Sequence, residues 1–103
     1  MDFSLKEKTA IVVGGSKGLG FGMATGLAQA GANVVLVSRN QGQLDDAAEK
    51  ISQETGTENV VGFATDITSV ENINVLSAKV RDKFGQVDIL FNGAGVHKRF
   101  PAP

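Results

Sequence analysis

Four short apolar runs alternate with three longer segments whose apolar positions recur every three or four residues. Thr9 to Val13 (TAIVV) is mostly β-branched and apolar after its first residue, which predicts a strand buried on both faces and central in a parallel sheet. From Gly18 onward, Leu19, Met23 and Leu27 recur with Ala24, Ala28 and Ala30 beside them, predicting a helix with one apolar stripe that stops at Gly31. Gly22 and Gly26 each weaken that helix by about 1 kcal/mol relative to Ala. Such a cost predicts a helix backbone lying very close to the sheet or to a ligand.

Asn33 to Val37 (NVVLV) repeats the buried-strand pattern and runs into Ser38, Arg39 and Asn40. A second helix is predicted from about Gln41 to Gln53, with Leu44, Ala47, Ala48 and Ile51 on its apolar side and Gly56 as its stop. Val60 to Thr65 (VVGFAT) is a third strand, ending at Asp66. Thr68 and Glu71 have capping-box spacing, and the helix they open carries Ile73, Leu76, Val80 and Phe84 on one face before Gly85. Val87 to Phe91 (VDILF) is a fourth strand, followed by Asn92, Gly93, Ala94, Gly95 and a loop, VHKRFPAP. The alternation calls for an α/β fold with a parallel sheet, right-handed crossovers, helices on both faces and ligand sites at the carboxyl ends of the strands.

Composition narrows the chemistry. A chain of 103 residues fits one small domain. Lys plus Arg number 10 against 11 Asp plus Glu, and the net charge of −1 gives no global reason to expect nucleic acid or an anionic membrane as partner. The absence of cysteine excludes disulfides, thiolate ligands and a cysteine nucleophile, and the single histidine makes no metal cluster. The apolar runs are too short to span a bilayer and the N-terminus lacks a secretory signal, so a cytoplasmic protein is expected.

The stretch VVGGSKGLGFG, residues 12 to 22, packs five glycines into eleven positions between a buried strand and a helix. Gly14, Gly18 and Gly20 are spaced G-x-x-x-G-x-G. A glycine at the strand exit can turn with positive φ, and glycines at the helix start let a ligand approach bare amides at the positive end of the helix dipole. That arrangement suits a pyrophosphate. The triphosphatase loop is excluded, because Gly15 and Gly20 are followed by Phe21 and Gly22 where Lys and Ser/Thr are needed. The G-x-G-x-x-G form is excluded by Met23.

The end of the second strand reads the adenosine ribose in dinucleotide folds, with an acid for the 2′-hydroxyl or an arginine for a 2′-phosphate. Here it holds Ser38 and Arg39 and no acid, while Lys17 adds a second cation from the glycine loop. This predicts NADP over NAD, against the alternative of two solvated surface cations. Asp66 has the position to hydrogen-bond the adenine amino group, or to serve as a turn residue.

These motifs closely resemble the N-terminal part of classical short-chain dehydrogenases/reductases, from the first residue to the last. The family's Thr-Gly-x-x-x-Gly-x-Gly corresponds to Val13 through Gly20, with Val13 in place of threonine. Its Asn-Asn-Ala-Gly corresponds to Asn92-Gly93-Ala94-Gly95, with Gly93 in place of the second asparagine. The resemblance implies a Rossmann-type fold, to whose sheet the doubly wound rule gives the strand order 3-2-1-4. It further implies cofactor contacts from Gly14, Ser16, Lys17, Gly18, Leu19 and Gly20, from Ser38 and Arg39, from Asp66 and Ile67, and from Asn92, Gly93, Ala94 and Gly95. By the same resemblance His97, Lys98 and Arg99 lie near the mouth of a substrate cleft. Sugar-acid dehydrogenases of the family carry similar basic, proline-containing segments, which makes a carboxylate-bearing sugar a candidate substrate and an ordinary solvated loop the plainer reading.

The family transfers hydride between nicotinamide and a carbonyl or alcohol, with tyrosine as acid/base, a lysine that lowers its pKa and a serine that holds the substrate oxygen. The 103 residues contain no tyrosine, hence no Tyr-x-x-x-Lys and no catalytic residue of that kind. A fourth strand left as an apolar edge predicts self-association there. The chain therefore reads as a sheet truncated after its fourth strand, the cofactor-binding portion of an NADP-dependent oxidoreductase. The rival reading is a non-catalytic nucleotide-binding or assembly module, and a third is a mononucleotide binder that uses only the glycine loop.

Overall fold

The computed structural model describes residues 4–14, 18–66 and 69–92. Its elements run β1 (Thr9–Val13), α1 (Gly18–Gln29), β2 (Asn33–Ser38), α2 (Gln41–Thr55), β3 (Val60–Ala64), α3 (Val70–Phe84) and β4 (Ile89–Asn92). The strands form one parallel sheet in the order β3-β2-β1-β4, as the alternation predicted. Every residue of β1 is buried, as a strand flanked on both sides and covered on both faces must be.

Strand alternation divides the core into two. Val12, Val34, Leu36 and Val60 face α1 and α2, where they meet Ala24, Ala28, Leu44, Ala47 and Ile51. Ile11, Val13, Val35 and Val37 face the other way, onto Leu76 and Val80 of α3. Among the described residues α3 stands alone on its face.

The buried stripe of α1 differs from the expected one. Gly20, Ala24 and Ala28 turn inward, whereas Leu19 is 63% exposed and Met23 is also exposed. Small residues at four-residue spacing let the helix axis settle close to the sheet, and the larger side chains are left at its margin. Gly22 and Gly26 are not points of close approach to the sheet: both are exposed, and a Cβ at either would meet nothing within 4 Å. Close approach occurs instead at Gly62 of β3, where a Cβ would lie 2.6 Å from Leu44 Cβ of α2.

Helix ends follow local chemistry. Asn40 caps α2, its Oδ1 accepting from the Gln43 amide at 3.0 Å, and Gly56 closes the helix with φ 78°. The cap of α3 is Ser69, one position later than the Thr68/Glu71 frame predicted; its Oγ accepts from the Asn72 amide at 3.3 Å. Asn72 Nδ2 also donates to the Asp66 carbonyl at 3.1 Å, which fixes the helix start to the exit of β3 and explains the later cap. Thr68 lies outside the described residues.

Strand β4 begins at Ile89, two residues later than the pattern suggested. Asp88 precedes it and is locked to the start of β1: its amide donates to the Thr9 carbonyl at 2.8 Å and its carboxylate accepts from the Thr9 amide at 2.9 Å. Thr9 is fully buried, so its amide requires this partner.

Candidate functional site

The parallel register brings the predicted residues to one edge of the sheet. Val13 pairs with Val37 and with Asn92, and Ser38 pairs with Ala64, so all four strands end within two rows. Two further bonds extend the ladder beyond the strands: the Gly14 amide donates to the Val37 carbonyl at 2.7 Å, and the Thr65 amide to the Ser38 carbonyl at 2.8 Å. Gly14, Ser38, Asp66 and Asn92 thus stand side by side at the carboxyl edge, the location where open α/β sheets take ligands.

Gly14 leaves β1 with φ 78° and Gly18 begins α1 with φ 59°, both in the left-handed region that a side chain disfavours. A Cβ at Gly18 would have nothing within 4 Å, so backbone conformation, not crowding, calls for glycine there. Gly20 is buried against the sheet, and Leu19 points outward. Helix α1 has no acidic residue in its first turn and no basic residue in its last, so its own side chains leave the dipole at its positive end uncompensated. Helix α3, in contrast, carries Glu71 in its first turn and Arg81 and Lys83 in its last.

Arg39 and Asp66, on adjacent strand exits, form an ion pair of 3.7 Å with side chains 75% and 48% exposed. Such a pair contributes roughly 0–1 kcal/mol in water. Its weakness leaves the guanidinium open to a stronger anion. Ser38 Oγ accepts from the Asn40 amide at 3.3 Å, which shapes the turn that presents Arg39.

Gln41, which the sequence pattern did not single out, ties this turn to the sheet. Its Nε2 donates to the Gly62 carbonyl at 3.0 Å and to Asp45 Oδ1 at 2.8 Å, and its Oε1 accepts from the Ala64 amide at 3.0 Å. A helix-start glutamine carries no periodic signal, so only the fold could reveal this role.

Ser16, Lys17, Ile67, Gly93, Ala94 and Gly95 lie outside the described residues, as do His97, Lys98 and Arg99. Asn92 borders an apolar groove of about 320 Å³ on the α3 side, lined also by Ile11, Val13, Ile73, Leu76 and Leu90. Leu90 is 68% exposed there. Among the described residues no cluster of histidine and carboxylate groups could hold a metal, and no helix is long and apolar enough to cross a membrane.

The sequence profile of the short chain dehydrogenase family matches residues 8–103. The chain belongs to that family. An uncharacterized oxidoreductase of Staphylococcus saprophyticus is 39% identical over 92 residues, which are 89% of this chain and 39% of the relative. L-Sorbose reductase from Gluconobacter frateurii, crystallised with NADPH and L-sorbose, superposes with a TM-score of 0.84 at 37% identity, over 92% of this chain and 36% of that one. 2-Keto-3-deoxy-D-gluconate dehydrogenase from Streptococcus agalactiae gives 0.81 at 36% identity, over 98% and 37%. The chain thus spans less than two-fifths of the length of these short-chain dehydrogenases.

Proposed function

We propose that this chain is the NADP-binding portion of a short-chain oxidoreductase that moves hydride between nicotinamide and a carbonyl or alcohol. The observation that carries the cofactor choice is Arg39 at the end of β2, where a dinucleotide's adenosine ribose lies and where no acid stands to receive a 2′-hydroxyl. A 2′-phosphate would take the guanidinium from its weak pair with Asp66, since charge-assisted bidentate bonds to phosphate outweigh an exposed ion pair. Gly14 and Gly18, with the uncompensated start of α1, suit the pyrophosphate. The sorbose reductase crystallised with NADPH supports the same choice.

Lys17 is assigned to the same phosphate. Ser16, Leu19 and Gly20 are assigned to the pyrophosphate loop, Asp66 and Ile67 to the adenine, and Asn92 through Gly95 to the riboses. The carboxylate-bearing sugar reading draws support from the likeness to 2-keto-3-deoxy-D-gluconate dehydrogenase. The acid/base of the family is a tyrosine, and these 103 residues contain none, so their part in our proposal is to hold and orient the nucleotide.

We also propose that two copies associate across β4. The outer edge of β3 is occupied by Gln41, whereas β4 presents Leu90 beside Ile73 on a short edge strand.

Calorimetric titration of the chain with NADPH and NADH tests the cofactor reading. NADPH should bind more tightly, and Arg39→Ala should weaken NADPH by about 1.5–3 kcal/mol, roughly 10- to 150-fold, with little effect on NADH. Equal affinities, or tighter NADH, would overturn the assignment of Arg39.

A further inference from the structure

We infer that Gln41 is a positioning residue for Arg39 and thereby sets the preference for a 2′-phosphate; this rests on the NADP reading above. The argument starts at the edge of the sheet. In the β2–β3 ladder the Thr65 amide donates to the Ser38 carbonyl, so the groups of Ala64 and Gly62 point away from β2, toward the open side. A parallel neighbour strand would donate to the Gly62 carbonyl and accept from the Ala64 amide. The side-chain amide of Gln41 makes those two bonds, each at 3.0 Å. One glutamine therefore stands in for a fifth strand at this edge.

The orientation of that amide is determined by its partners. Both Nε2 hydrogens are used, on the Gly62 carbonyl and the Asp45 carboxylate, and Oε1 faces the Ala64 amide. The flipped amide would set Oε1 against two acceptors and a donor against an N–H. The bracket is thus single-valued, and it is anchored at both ends.

Its location gives it consequence. Gln41 is the first residue of α2, two positions after Arg39, and the strand it grips leads within two residues of Ala64 to Asp66. The Ser38 carbonyl joins the start of the turn to the Thr65 amide, and the exposed Arg39–Asp66 pair spans the two strand exits. The turn of Ser38, Arg39 and Asn40 is also held by the Ser38 hydroxyl, which accepts from the Asn40 amide, and by the Asn40 cap on the Gln43 amide, but neither of those bonds reaches β3. Gln41 adds two side-chain bonds to the outer edge of β3 and so anchors the far end of the turn that carries Arg39. Released from it, the Arg39 side chain would sample more positions and lose part of its preorganisation for a phosphate.

The test compares the unmodified chain, Gln41→Ala and a neighbouring surface variant, Gln43→Ala, by calorimetric titration with NADPH and with NADH, alongside thermal unfolding. Gln41→Ala should lower the ratio of NADPH to NADH affinity by about three- to tenfold, the cost of re-ordering one long side chain, and Gln43→Ala should leave it unchanged. General destabilisation would weaken both cofactors alike and leave the ratio where it was. That result, or an unchanged ratio, overturns the inference while the NADP reading stands. Equal binding of both cofactors by the unmodified chain would sink the NADP reading and the inference with it.

Discussion

Helix α2 approaches β3 closely at Gly62, and replacing this glycine tests the packing directly. In Gly62→Ala the new methyl carbon would sit 2.6 Å from Leu44 Cβ, with Leu44 C at 3.4 Å and Leu44 Cα at 3.5 Å. Carbon atoms pack favourably at about 3.5–4.0 Å, so the shortest of these contacts is about 1 Å too close. Leu44 cannot yield by changing rotamer, because its Cβ is fixed to the backbone. The helix must withdraw from β3, and Leu44, Ala47 and Ile51, which α2 buries, withdraw with it.

Overpacking of this kind costs about 1–3 kcal/mol, from which about 0.4–1 kcal/mol is recovered because alanine restricts the unfolded chain more than glycine. With the contact about 1 Å too short and against an atom that cannot swing away, the upper part of that cost applies, and the net loss should be about 1–2.5 kcal/mol. For a domain of this size that corresponds to a fall of about 5–15 °C in Tm, and to a lower urea midpoint at unchanged slope. Gly26→Ala is the control: the position is helical, exposed and open, so it should gain up to about 1 kcal/mol. Circular dichroism melts of the three chains decide the matter. A Gly62→Ala chain as stable as the unmodified one, measured beside a stabilised Gly26→Ala, would refute the close approach of α2 to β3.

Two other outcomes follow from the β4 side of the sheet. The Thr9 amide, with help from Gln86 and Lys8 and against a desolvation penalty, holds the Asp88 carboxyl below its ordinary value of 3.8. Its stabilising contribution is therefore complete above that value and lost as pH falls through the lowered folded one. Asp88→Asn should be less stable than the parent at neutral pH and lose less on acidification; parallel urea-midpoint curves through the carboxylate range would refute this. Leu90→Lys places a charge on the exposed edge and should shift sedimentation toward a single copy. A parent that sediments as one copy at all concentrations would refute association across β4.

All seven elements were legible because the strands are short, nearly unbroken apolar runs, the helices repeat their apolar positions every three to four residues, and glycines punctuate them. What the pattern misjudged was which face of α1 turns inward. Large apolar residues carry the periodic signal, but close helix-to-sheet packing selected Gly20, Ala24 and Ala28, and left Leu19 outside. The cap of α3 was misplaced by one residue for a related reason: Asn72 reaches back to Asp66, a contact that depends on where β3 ends. The site was legible as strand exits, since a parallel sheet brings them together whatever the details. Gln41 was not, because its partners on β3 are distant in sequence and share no local motif with it.

The pairing of β1 with β4 also sets an order of events in time. Thr9 meets Asn33 and Val34 meets Val60 across 24 and 26 residues, whereas Ala10 meets Ile89 across 79. Closing the longest loop costs the most chain entropy, and β4 offers only four residues to offset it. It should be the last strand to dock during folding and the first to open in native-state hydrogen exchange. The edge carrying Gly14, Ser38 and Asp66 would then be assembled before Asn92 arrives.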